Sequence, residues 1–99
     1  MIHGIDVDRQ GRCAHWHSER DVVANTCGAC AKLWACSLCH DECADHEFAP
    51  VERSERSVMC GACGHMMTHA EYGAACPACA HPFNPGCKAH EDVYFQPVR

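Results

Sequence analysis

Nine of the 11 cysteines in this chain arrive in a fixed cadence: Cys13-Ala-His15, Cys27-x-x-Cys30, Cys36-x-x-Cys39-His40 with His46 after it, Cys60-x-x-Cys63 and Cys76-x-x-Cys79. A Cys-x-x-Cys turn aims two thiolates at one tetrahedral ion, and two more donors complete the shell. The spacing sorts twelve residues into three sets of four donors. Zinc is the ion that this mixture of sulfur and imidazole suits.

The chain has little else to hold it. Leu, Ile, Val and Phe together number 14 of 99 residues, a share that resembles a disordered chain unless something else helps. The hydrophobic fraction of 47% is inflated by 11 cysteines and 14 alanines. Small domains with thin cores need staples, and a structural zinc contributes about 10–16 kcal/mol of apparent folding free energy. Disulfides are the rival staple. The opening residues 1–6 have neither the basic start nor the apolar run of a signal peptide. Pairs spaced x-x and accompanied by histidines are not what a disulfide framework requires, and 11 is an odd number. The expected setting is therefore reducing, with the cytoplasm as the first reading. No apolar run approaches a membrane span. The net charge is −5, Lys32 and Lys88 are isolated, and the arginines are scattered. An acidic surface without a basic stripe disfavours nucleic acid as a partner.

The last donors are the simplest to assign. Cys60, Cys63, Cys76 and Cys79 form two knuckles that close one site, with the stretch from Met66 to Tyr72 supplying the returning strand of a zinc ribbon. The earlier donors are too many for one ion. Cys39 and His40 are neighbours whose side chains diverge, so they serve different zincs. Cys27, Cys30, His40 and His46 make one set. Cys13, Cys36 and Cys39 make the other, completed by His15 or by His17, both of which have suitable spacing. The two sets interleave along the chain, so two metals lock residues 13–46 as a unit.

The expected fold is a small metal-stapled domain, mostly loop and short antiparallel β, with little helix. Residues 1–12 are a polar lead-in with Ile2, Ile5 and Val7 available for an edge strand. Residues 13–47 form the interleaved double-zinc unit, with a hairpin of Val22-Val23 and Leu33-Trp34 around the Cys27 turn and helical turns over 40–47. Residues 48–57 are a linker. Residues 58–96 form the ribbon together with turn chemistry from Pro82 to His90 and a short strand at Val93-Tyr94-Phe95. Trp16, Trp34, Tyr72 and Phe95 are expected to pack around the metals. Cys43, Cys87 and His90 are left over, and Cys87-x-x-His90 is a half-site for a fourth metal.

Cys13-Ala-His15-Trp16, Cys36-Ser-Leu-Cys39-His40-Asp41 and Asp45-His46 resemble the CHY-type zinc finger. Cys60-Gly-Ala-Cys63, Ala70-Glu71-Tyr72, Cys76-Pro-Ala-Cys79 and Phe83-Asn-Pro-Gly-Cys87-Lys-Ala-His90 before Tyr94-Phe95 resemble its stand-alone type. That type includes the helper of small Tim proteins of fungal mitochondria and its bacterial relatives. The resemblance implies three zincs in the arrangement above and selects His15 over His17. The family often has adjacent cysteines where this chain has Cys27-x-x-Cys30, and Cys43 has no counterpart. The resemblance also implies zinc handling beside thiol-disulfide chemistry, with the mitochondrial intermembrane space as the alternative compartment.

Catalytic readings fit less well. His69-Ala-Glu71 ahead of Cys76-x-x-Cys79 is close to the zinc deaminase signature. However, Ala75 stands where proline is needed, and only four residues separate Glu71 from Cys76. A thioredoxin-like dithiol needs a parallel sheet with crossover helices that the segment cannot hold. A catalytic zinc needs an open position, and each set of four is saturated. The expected function is a non-catalytic zinc-binding protein with a protein partner, acting in recognition or zinc handling. The alternative is a redox-active protein whose cysteine pairs cycle to disulfides and release zinc.

Overall fold

A computed structural model describes residues 2–84 and 91–96. Five short strands, β1 (Ile2–His3), β2 (Val23–Thr26), β3 (Leu33–Trp34), β4 (Val58–Cys60) and β5 (Met66–Met67), form one sheet in the order β1-β3-β2-β4-β5. Among the described residues two short helices accompany it, α1 (Ser37–Cys43) and α2 (Glu91–Tyr94). The strands are short because cysteine turns interrupt them. β2 and β3 flank the Cys27–Cys30 turn and pair antiparallel with Thr26 opposite Leu33. β4 and β5 flank the Cys60–Cys63 turn in the same manner, with Val58 opposite Met67.

β2 is the central strand. Its other edge pairs antiparallel with β4, placing Val23 opposite Cys60, so a single sheet runs through both halves of the chain. β1 adds at the edge, parallel to β3, and realises the edge strand expected at Ile2. The rest of the lead-in also docks: Ala14 donates its N–H to the Ile5 carbonyl at 2.9 Å. Val22, Val58, Met67 and Phe95 are fully buried among the cysteines.

Four local expectations change. The helix begins at Ser37 rather than at residue 40, because Cys36 caps it and its sulfur accepts the Cys39 N–H. The 48–57 stretch, read as a linker, sends Phe48 and Val51 into the core. Residues 93–94 are helical rather than extended, and Phe95 forms a single parallel bridge to Val51. Trp16 is 42% exposed and so is not part of the packing around the metals, unlike Trp34, Tyr72 and Phe95.

Candidate metal centres

Three of the four Cys-x-x-Cys turns share one backbone design. The residue after the second cysteine donates its N–H to the carbonyl of the first: Ala31 to Cys27, Gly64 to Cys60 and Ala80 to Cys76. The N–H of each first cysteine donates to the carbonyl five residues on, at Lys32, His65 and His81, each at 3.0 Å. Ala31, Gly64 and Ala80 all take positive φ, at 59°, 82° and 63°. This bend reverses the chain and leaves both sulfurs on one side. The fourth pair, Cys36 and Cys39, is built differently, on the first turn of α1.

These turns bring the donors into three groups. Cys13, His15, Cys36 and Cys39 form the first, Cys27, Cys30, His40 and His46 the second, and Cys60, Cys63, Cys76 and Cys79 the third. Within each group the ligand atoms lie within 4.8 Å of one another, so each can hold a metal ion. The separations fit zinc. Zn–S bonds of about 2.3 Å and Zn–N bonds of about 2.0–2.1 Å give tetrahedral edges of about 3.8 Å between sulfurs, about 3.6 Å between sulfur and nitrogen and about 3.3 Å between nitrogens. The sulfurs of Cys13 and Cys36 are 3.6 Å apart, those of Cys63 and Cys76 3.7 Å, and those of Cys60 and Cys79 3.8 Å. His15 Nδ1 lies 3.5 Å from Cys36 Sγ and 3.4 Å from Cys39 Sγ. The Nε2 atoms of His40 and His46 are 3.1 Å apart. All ten described cysteines are free thiols.

The histidines are aimed by carboxylates. His15 turns Nδ1 toward the sulfurs while its Nε2 lies 3.1 Å from Glu42 Oε2. His46 turns Nε2 inward while its Nδ1 lies 3.0 Å from Asp45 Oδ1. A carboxylate on the outer nitrogen fixes the tautomer so that the inner lone pair faces the ion. His40, fully buried, has a looser partner in Asp41 at 3.7 Å. Sequence reading assigned no role to these three carboxylates; the signal that could have found them is the cluster of Asp and Glu between residues 41 and 47.

Backbone N–H groups ready some of the sulfurs to carry charge. Burial raises the Cys27 thiol, but N–H groups of Ala49, Cys30 and Ala29 outweigh it and bring the pKa down to about 6. Burial likewise raises Cys76, and N–H groups of Cys79 and Ala78 bring it down to about 7. Burial wins at Cys60, which is pushed up to about 12, and it also pushes Cys36 up. Asp45 and Cys27 raise His46 to about 9.

No protein-family model matches the chain. Helper of Tim protein 13 of Saccharomyces cerevisiae is 43% identical over 107 residues, covering 96% of this chain and 90% of that protein. Its namesake in Kluyveromyces lactis is 39% identical over 100 residues, covering 96% and 88%. An uncharacterized protein of Schizosaccharomyces pombe is 45% identical over 100 residues, with the same coverage as the latter. The chain belongs to the Helper of Tim protein 13 family.

In this member of the Helper of Tim protein 13 family, His15 joins the first group and His17 is exposed outside it. Cys43 is exposed at the end of α1. Cys87 and His90, the half-site considered for a fourth metal, lie outside the described residues. Among the described residues no helix is long and apolar enough to cross a membrane.

Proposed function

We propose that this chain is a non-catalytic zinc protein of the CHY type, with a double-zinc unit and a zinc ribbon. In this reading it serves a protein partner as an accessory to thiol-disulfide chemistry. The observation that carries it is the closure of all three groups. Each offers four protein donors whose ligand atoms lie within 4.8 Å of one another, whereas a catalytic zinc keeps one position for water or substrate. Zinc, when bound, supplies cross-links between segments far apart in sequence, such as residue 13 with 39 and residue 60 with 79.

The names of the two Helper of Tim relatives support an accessory role toward small Tim proteins. They move the compartment reading from the cytoplasm toward the mitochondrion. The acidic composition gives no support to nucleic acid as a partner. Native mass spectrometry tests the reading: the purified chain should carry three zincs, and thiol alkylation should remove them. A compact, cooperatively folding chain that carries no metal at all would overturn it.

A further inference from the structure

The three groups differ in how far the fold encloses them. In the first, Cys13, Cys36 and Cys39 are buried and His15 is partly so. In the second, Cys27 and His40 are buried while Cys30 and His46 are partly so. In the third, Cys60 and Cys76 are buried, but Cys63 and Cys79 are both exposed. Each exposed sulfur lies across from a buried one, Cys63 from Cys76 and Cys79 from Cys60.

Backbone packing sets the Cys76 turn apart from the Cys27 and Cys60 turns. A side chain at Gly28 in the Cys27 turn would meet the Pro50 carbonyl oxygen at 2.9 Å, and one at Gly61 in the Cys60 turn would overlap the Gln10 carbonyl. Other segments of chain therefore lie against those two turns. In the Cys76 turn, the corresponding residue is Pro77, and residues 77–80 are all exposed. The first two groups also share α1, which supplies Cys39 to one and His40 to the other. Emptying either undermines the element that holds both. The third group draws on its own two turns and shares no helix with the others, and its strand β4 is paired with β2 from Val58 to Cys60.

We propose that the third group is the exchangeable zinc site, passing its ion to or from a thiol-rich acceptor through Cys63 and Cys79. An incoming ligand must reach the metal–sulfur bonds, and here two of the four sulfurs belong to exposed cysteines. Thiolate is the ligand form on both sides of such a transfer. The ion moves as Zn²⁺ without oxidation. The released thiolates take up protons, and the acceptor's thiols give up theirs. This proposal rests on the zinc reading above and adds the site and face of exchange.

The test uses the full chain loaded with zinc and exposed to excess pyridylazoresorcinol, a coloured zinc chelator. Zinc release is followed by absorbance and native mass spectrometry. A short pulse of N-ethylmaleimide with peptide mapping reports which thiols are freed. One zinc should leave about tenfold faster than the other two. The two-zinc species should carry label at Cys63 and Cys79, with Cys13, Cys27 and Cys36 protected. Loss of all three at comparable rates, or first labelling in either of the other groups, overturns the proposal and leaves the zinc reading standing. A chain that never held zinc removes both.

Discussion

Two alanines occupy backbone positions that favour glycine. Ala31 and Ala80 sit at positive φ in the same turn position where the middle turn has Gly64. Left-handed backbone costs a residue with a Cβ about 1–2 kcal/mol. Glycine removes that strain but loses about 0.4–1 kcal/mol through the freer unfolded chain. The balance predicts that Ala31→Gly and Ala80→Gly each stabilise by about 0.5–1 kcal/mol, and that Gly64→Ala destabilises by a similar amount. Urea unfolding at fixed free zinc measures this. Glu42 makes a different prediction. Its side chain is mostly exposed and its carboxylate meets His15 Nε2, so Glu42→Ala removes aim rather than packing. Zinc at the first group should bind about 10–100-fold more weakly, read by competition with a chelator, with the far-ultraviolet spectrum of the loaded protein unchanged.

α1 is the element on which the first two groups depend. It is only seven residues long, too short to be stable alone, and its Cys36 cap and its Cys39 and His40 all belong to the groups that could hold a metal ion. Cys39→Ser should therefore cost the chain two zincs, whereas Cys60→Ser should cost one and leave the 13–46 region folded. Native mass spectrometry counts both, and equal losses from the two variants would contradict the shared-helix picture. The hairpin around Cys27 was legible in sequence because β-branched and aromatic residues flank a glycine-containing cysteine turn. The start of α1 was not, because its N-cap is a thiol, a residue type that capping rules do not feature. Phe48 and Val51 were hidden for a related reason. Two apolar residues among Pro, Glu, Arg and Ser carry no period, and only the late Tyr94-Phe95 segment gives them something to pack on: Val51 donates to the Tyr94 carbonyl and accepts from Gln96.

At the scale of the whole molecule, which cysteines and histidines come together was readable from spacing, while the way the halves join was not. Besides the β2–β4 pairing, ties lie between residues more than 60 apart, where no local pattern reaches. His81 Nε2 lies 2.8 Å from the Glu19 carbonyl. Asn84 donates Nδ2 to Asp21 Oδ1 at 2.7 Å and its N–H to the Arg20 carbonyl at 3.1 Å. These bonds moor the far end of the third group to the loop before β2. Asp21 is the hub. Burial raises its carboxyl, but hydrogen bonds from Ser18 and Asn84 outweigh this and hold the pKa below the ordinary value. A carboxyl lowered in the folded state stabilises the fold above its unfolded pKa, and that stability is lost as pH falls through the lower native value. The contribution is therefore complete at both pH 7 and pH 5.5. Asp21→Asn should cost about 1–2 kcal/mol, by the same amount at each pH when compared with the parent chain under the same conditions. It should also speed zinc release from the third group, because the mooring of the Cys76 turn is loosened. A penalty that shrinks between pH 7 and pH 5.5 would mean that the carboxylate is not held ionised by these bonds. An unchanged release rate would mean that the third group is kept in place by its own two turns.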